Sequence, residues 1–243
     1  MIQSVDPHRF DAALFDMDGV ITNTAIVHEA AWTDAFAPVL SSAEEPPFTH
    51  EDYRLHVDGK PRKDGIRAFL LSRNIGFDDV LVDTIAKDKN AAFLQRIDER
   101  GVAVLPGAVD TLAQFRLAGL KLGLFTASRN APRVLAKANL AGLFDAVVDG
   151  AVATKMGLSG KPQPDVPLAC AAQLGVTPAR CILFEDAVAG IKAGLAGHFG
   201  QVVGISGEAD AKVLRDAGAQ TIVRSLADVA LLRAYAPPRA CLV

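Results

Sequence analysis

Short apolar runs that end in polar residues recur along the chain at 12–15, 120–125, 146–148, 181–184, 202–205 and 221–223. Between them, 131–140, 166–174, 188–196 and 211–217 have helical length and mostly helical periodicity, punctuated by Gly175, Gly218, Pro132 and Pro178. Buried strands alternating with helices predict an α/β protein with a doubly wound parallel sheet of the Rossmann-like kind. The rhythm breaks between Thr24 and Leu105, where 26–36, 63–73 and 78–97 carry helical patterns and no strand pattern occurs. The expectation is a helical cap, residues 24–104, inserted after the first strand of a discontinuous core made of 1–23 and 105–243. Thr22-Asn23-Thr24 and Leu105-Pro106-Gly107 mark its hinges. Within it, 41–49, with Glu44, Glu45, Pro46 and Pro47, reads as an exposed loop.

Composition narrows the function. Half of the 243 residues are hydrophobic, enough for a sizeable core and against disorder. Lys+Arg 25 against Asp+Glu 28 leave a net charge of −3, with no long run of one sign, so nucleic acid is not an expected partner. Cys170, Cys181 and Cys241 form no paired motif, which predicts buried free thiols in a reducing compartment. No apolar run approaches a membrane span, and Asp6, His8, Arg9 and Asp11 interrupt the N-terminus. A soluble, unprocessed, cytoplasmic protein without a membrane partner is expected.

In an open parallel sheet, ligands bind beyond the carboxyl ends of the strands. The first run is followed by Asp16-Met17-Asp18-Gly19, the second by Thr126-Ala127-Ser128-Arg129-Asn130, and the fourth by Glu185-Asp186, while a loop supplies Lys161. The two-residue spacing of Asp16 and Asp18 turns both carboxylates the same way, although Asp after a strand also commonly caps a turn. Glu185 and Asp186 equally suit the start of the next helix. Four carboxylates at neighbouring strand ends call for a cation, and an all-oxygen donor set selects a hard ion, here Mg²⁺. Thr126 and Lys161 are suited to the equatorial oxygens of a phosphoryl group in transfer. Other motifs fail on spacing. Ser159-Gly160-Lys161-Pro162 is no Walker A loop, position 32 is Trp where a zinc-binding helix needs His, and neither a nucleophile elbow nor a dinucleotide fingerprint is present.

Four motifs in order, Asp16-Met17-Asp18-Gly19-Val20, Thr126, Gly160-Lys161-Pro162 and Phe184-Glu185-Asp186-Ala187, resemble those of the haloacid dehalogenase-like superfamily of phosphotransferases. The resemblance covers essentially the whole chain. The approaches to the cap (Thr22-Asn23-Thr24 leading to His28 and Trp32, Asp58-Gly59-Lys60-Pro61-Arg62, Ala86-Lys87-Asp88-Lys89-Asn90) are similar to the β-phosphoglucomutase-like subfamily. Asn23 stands where that subfamily usually has an acid, Thr126 where it has Ser, and Lys60-Pro61 departs from its substrate loop.

The resemblance implies that Asp16 is a nucleophile forming an aspartyl phosphate and that Asp18 is a general acid and base. It implies a Mg²⁺ ion on Asp16, the Asp18 carbonyl, Glu185 and Asp186, and a phosphoryl site made by Thr126 and Lys161. His28, Trp32, Gly59, Arg62, Lys89, Ser128, Arg129 and Asn130 become substrate-binding residues. Among them Arg62, Ser128 and Asn130 hold a second phosphate, while His28 and Lys89 couple cap closure to the placement of Asp18. Without the resemblance, His28 reads as a partly buried helix residue beside Trp32. The implied activity is interconversion of β-glucose 1-phosphate and glucose 6-phosphate through a bisphosphate, by a monomer acting on a small sugar phosphate. Two alternatives stand beside it: a sugar-phosphate phosphatase using the same intermediate, and a receiver-like phosphate-binding module, for which the chain is about twice too long.

Overall fold

The computed structural model describes residues 3–207 and 210–232. Cys241 lies outside the described residues. The strands are β1 (Gln3–Val5), β2 (Ala12–Phe15), β3 (Lys121–Phe125), β4 (Ala146–Val148), β5 (Cys181–Glu185), β6 (Gln201–Ile205), β7 (Thr221–Val223) and β8 (Val229–Leu231). β2 to β7 form one sheet in the order β4-β3-β2-β5-β6-β7, with every pairing parallel. The helices are α1 (Ala25–Ser42), α2 (His50–Asp52), α3 (Arg62–Ser72), α4 (Asp79–Arg100), α5 (Ala108–Leu117), α6 (Ala131–Lys137), α7 (Gly150–Met156), α8 (Asp165–Leu174), α9 (Val188–Ala196) and α10 (Ala211–Asp216). A π-helical turn, Tyr53–Val57, continues α2.

The central strands are apolar without a break because both faces of the sheet are covered. Ala13 and Phe15 of β2, with Ile182 and Phe184 of β5, enter one core together with Leu112 and Phe115 of α5. Ala12 and Leu14, with Cys181 and Leu183, enter the other, against Cys170 and Leu174 of α8 and Ile191 of α9. This is the two-residue alternation of an extended chain, with apolar partners on either side. The first face is tied by Phe15 and Phe184, whose rings stack with centroids 4.9 Å apart. Gly123 lets α8 lie close on β3, since a Cβ there would stand 2.7 Å from Cys170 Sγ. Cys170 and Cys181 are free and buried, as expected.

The helices between Ala25 and Arg100 hold an aromatic core of their own, in which Phe36 packs 4.3 Å from Phe69 and 5.1 Å from Phe48, centroid to centroid. Phe93 and Ile97 of α4 and Ala31 of α1 leave that cluster and join the core on the sheet, so the two long helices root the cap on the sheet domain. The chain enters and leaves the cap side by side, with Asn23 N–H donating to Ala103 O at 2.9 Å and Leu105 N–H to Ile21 O at 2.9 Å.

Three features differ from the sequence reading. α1 runs through Pro38 to Ser42, so the loop shrinks to 43–49 and buries Phe48. α5, α7 and the α2 turn stand where no helix was read. The parallel pair β1–β8 differs as well, because Gln3-Ser4-Val5 is not an apolar run and β8 is defined by its pairing with it. Among the described residues, no helix is long and apolar enough to cross a membrane.

Candidate active site

β2, β3 and β5 lie side by side, and their carboxyl ends deliver Asp16, Thr126 and Glu185 to one rim. Asp16 Oδ2 accepts the Asp18 N–H at 3.0 Å, which curls the chain after β2. Gly19 completes the turn at φ 87°, and a Cβ there would stand 1.8 Å from Asp186 Oδ2, so a side chain at this position would strain the backbone and displace Asp186. Lys161 Nζ donates to Asp16 Oδ1 at 2.7 Å and to Glu185 Oε2 at 2.9 Å. The other Glu185 oxygen accepts the Ala187 N–H at 3.1 Å, and Gly190 of α9 makes room for the side chain.

Asp16, Glu185 and Asp186 each offer a carboxylate oxygen, all within 4.8 Å of one another. Burial, first, and the neighbouring carboxylates push the Asp16 and Asp186 carboxyls well above the usual range, against the pull of Lys161. For Lys161, burial works against its charge, but Asp16 and Glu185 outweigh it and push its pKa up. One ammonium serves three clustered acids, two buried and one half-buried, so the cluster lacks positive charge, and its oxygen-only donors fit a hard divalent cation such as Mg²⁺. The Asp18 side chain turns away from this group.

Asp18 is held by three hydroxyl and ring contacts instead. Thr24 Oγ1 donates to its Oδ1, Thr126 Oγ1 donates to its Oδ2 at 3.2 Å, and His28 Nε2 lies 3.3 Å from Oδ1. His28 Nδ1 takes a hydrogen bond from Lys89 of α4, which leaves Nε2–H facing Asp18. The His28 ring stacks on Phe93 with centroids 4.1 Å apart, and Lys89 Nζ sits 4.9 Å from the Trp32 ring centre. Burial would push the Asp18 carboxyl up, but the close approach of His28, the Thr24 bond and Lys89 together hold it at about 2. Burial, aided by Arg62, pushes the Lys89 ammonium well below its ordinary value.

The cap is closed over this rim. Asn90 Oδ1 accepts from Arg62 at 2.8 Å and from Asn130 Nδ2 at 3.0 Å, bridging cap and core. Pro61 packs onto Gly160, Gly59 onto Ala187, and Arg54 pairs with Asp210. Asp16, Asp18, His28, Trp32, Gly59, Arg62, Lys89, Ser128, Lys161 and Asp186 line one cavity. Thr126 and Arg129 line a neighbouring one, Arg129 being exposed, while Asn130 is half-buried behind Asn90 and Glu185 is buried beneath Lys161.

The site also contains Thr24, Tyr53, Asp58 and Asn90, to which no separate role was given from sequence. Asp58 is the most consequential of them. Burial raises its carboxyl, a hydrogen bond with Tyr53 opposes this, and Glu185 adds to the rise, leaving it at about 6. Its one local signal is the Asp58-Gly59 pair, a turn signature that says nothing of what the turn faces.

A family model described as haloacid dehalogenase-like hydrolase matches residues 10–198. A β-phosphoglucomutase of Mycobacterium bovis is 37% identical over 242 residues, covering 92% of each chain. One from Bacillus subtilis is 33% identical over 224 residues, covering 90% of this chain and 92% of its own. The crystal structure of a β-phosphoglucomutase from Clostridium difficile superposes with a TM-score of 0.76 at 29% identity, over 89% of this chain and 92% of that one. The chain therefore belongs to the haloacid dehalogenase-like hydrolase family, in its β-phosphoglucomutase-like branch, as an enzyme of phosphoryl transfer.

Proposed function

We propose that the protein is a Mg²⁺-dependent β-phosphoglucomutase interconverting β-glucose 1-phosphate and glucose 6-phosphate through an aspartyl-phosphate enzyme and glucose 1,6-bisphosphate. The observation that carries this reading is the hold of the cap on Asp18: His28 of α1, backed by Lys89 of α4, reaches it only when the helices lie against the sheet. A mutase must spare its phospho-enzyme from water, and an acid–base group completed by cap closure favours a bound sugar over water.

Lys161 grips Asp16 Oδ1 and the Asp18 N–H holds Oδ2, which together fix the carboxylate for attack. Starting from phosphorylated Asp16, a sugar hydroxyl attacks phosphorus, the bond from phosphorus to Asp16 breaks, and Asp18 takes the hydroxyl proton. Thr24 and Thr126 donate to the two Asp18 oxygens and hold it as the carboxylate that this step needs. The bisphosphate then turns end for end. Asp16 attacks the other phosphate while Asp18 returns its proton to the departing sugar oxygen, which restores the phospho-enzyme. Thr126 and Lys161 hold the phosphoryl oxygens, and Arg62, Ser128 and Asn130 anchor the phosphate that does not react, the guanidinium through its planar fork. A Mg²⁺ ion on Asp16, Glu185, Asp186 and the Asp18 carbonyl would neutralise the charge gathered between acids and phosphate.

The test uses purified protein with Mg²⁺ and β-glucose 1-phosphate, primed with glucose 1,6-bisphosphate, and follows glucose 6-phosphate and free phosphate together. Glucose 6-phosphate without matching free phosphate is expected, and Asp16→Asn abolishes it. Free phosphate in step with substrate loss would make the enzyme a phosphatase.

A further inference from the structure

Asp58 ends the π-helical turn Tyr53–Val57, at the tip of the cap, and Gly59 (φ 68°) reverses the chain against Ala187. The closed site borders two outer spaces. A cleft of about 600 Å³ shares Tyr53, Asp58, Lys60 and Asp186 with it, and a chamber of about 320 Å³ shares Arg62, Ala127 and Lys161. The two outer spaces have no lining residue in common, and Asp58 lines the first while Arg62 lines the second.

The two walls differ in chemistry. Arg62 is a fork of donors, with Arg129 beside it. Asp58 is a carboxylate beside Asp186; Tyr53 bonds it, and it forms no ion pair among the described residues. Lys60, the cation nearest in sequence, is turned to its own cap, donating to Leu55 O at 3.2 Å. An ionised carboxylate only accepts hydrogen bonds, and a phosphate dianion offers it none while adding like charge. The group that satisfies such an acceptor is a hydroxyl. On the reading of this site as one for sugar phosphates, we infer that Asp58 is a specificity-determining residue that accepts a hydrogen bond from a ring hydroxyl and turns phosphate away from its wall, towards Arg62.

The experiment compares wild type, Asp58→Asn and Asp58→Ser on glucose 6-phosphate and β-glucose 1-phosphate, on their 2-, 3- and 4-deoxy analogues, and on acetyl phosphate, which has no ring. Each series is run across a Mg²⁺ titration. Loss of one charged hydrogen bond predicts that kcat/KM on the parent sugar falls about 10- to 100-fold further than on acetyl phosphate. One deoxy analogue should lose a similar factor with wild type and nothing more with either variant. Equal losses on sugar and acetyl phosphate would overturn the assignment, as would a further loss on every analogue or recovery by excess Mg²⁺. A wild type that turns over acetyl phosphate but no sugar phosphate overturns the sugar-phosphate reading and the assignment together. Sugar turnover with undifferentiated losses overturns the assignment alone.

Discussion

Lys161→Met removes the ammonium between Asp16 and Glu185 while keeping the length and apolar stem of the side chain. Its Nζ lies 2.7 and 2.9 Å from the two carboxylates, and all three side chains are at most 5% exposed. Unit charges about 4 Å apart interact by about 4 kcal/mol at an effective dielectric near 20, and desolvation of the ammonium offsets part of this. Removing one partner of a buried pair typically costs about 3–5 kcal/mol, because the remaining charge stays buried without compensation. For a chain of this size that is a fall in Tm of about 6–20 °C. The assay is thermal unfolding of both proteins in EDTA and in Mg²⁺, at pH 7.5 and pH 5. The deficit should be largest in EDTA at pH 7.5 and shrink in Mg²⁺, where the added cation replaces the lost charge. It should also shrink at pH 5. Asp16 and Asp186 are raised in the folded state, so the unfolded chain releases their protons first, near 3.8, and stability falls as pH rises towards the folded values. At lower pH the folded acids are more protonated and need the ammonium less. A Lys161→Met protein melting within about 2 °C of wild type in EDTA at pH 7.5 would refute this account of the cluster.

Gly19→Ala places a methyl on Asp186 at a φ of 87°, and the expected result is a fold close to native but a Mg²⁺ requirement raised at least about tenfold, read by titrating activity with the metal. Asn90→Ala removes the bridge from Arg62 to Asn130, and KM for the sugar phosphate should rise about 5- to 20-fold with a smaller change in kcat, measured by steady-state kinetics. Asp58→Asn should melt higher than wild type in EDTA at pH 8. The folded Asp58 carboxyl is raised from 3.8 to about 6, so its contribution to stability is present below 3.8 and is lost as pH rises to about 6. The gain is up to about 2–3 kcal/mol and vanishes by pH 4; equal melting at pH 8 counts against it.

The core strands were legible because a parallel sheet covered on both faces favours unbroken apolar runs, so that 12–15 and 146–148 coincide with β2 and β4. Helix ends were less so. α1 outruns its apolar pattern to Ser42, since a helix is held by packing and backbone bonds as much as by periodicity. α5 escaped notice although Leu112 and Phe115 are buried, and β1 and β8 are defined only by their pairing across the whole chain.

The candidate site divides the same way. Asp16, Asp18, Thr126 and Glu185 follow strand ends, and once the strands are placed, sheet order brings them together; their types and positions were therefore decided by sequence. The partners of those groups were decided by the tertiary fold. Whether Asp18 faces the acid cluster or the cap depends on His28 and Thr24, and His28 in turn on Lys89, 61 residues away along the chain. Asn90 joins Arg62 to Asn130 across 28 and 40 residues. Asp58 acquires its meaning from the cap closing opposite Asp186. Local sequence determines backbone direction and side-chain chemistry within a few residues. The electrostatic environment of a buried group is set by everything within several ångströms, and only the folded chain brings those neighbours together.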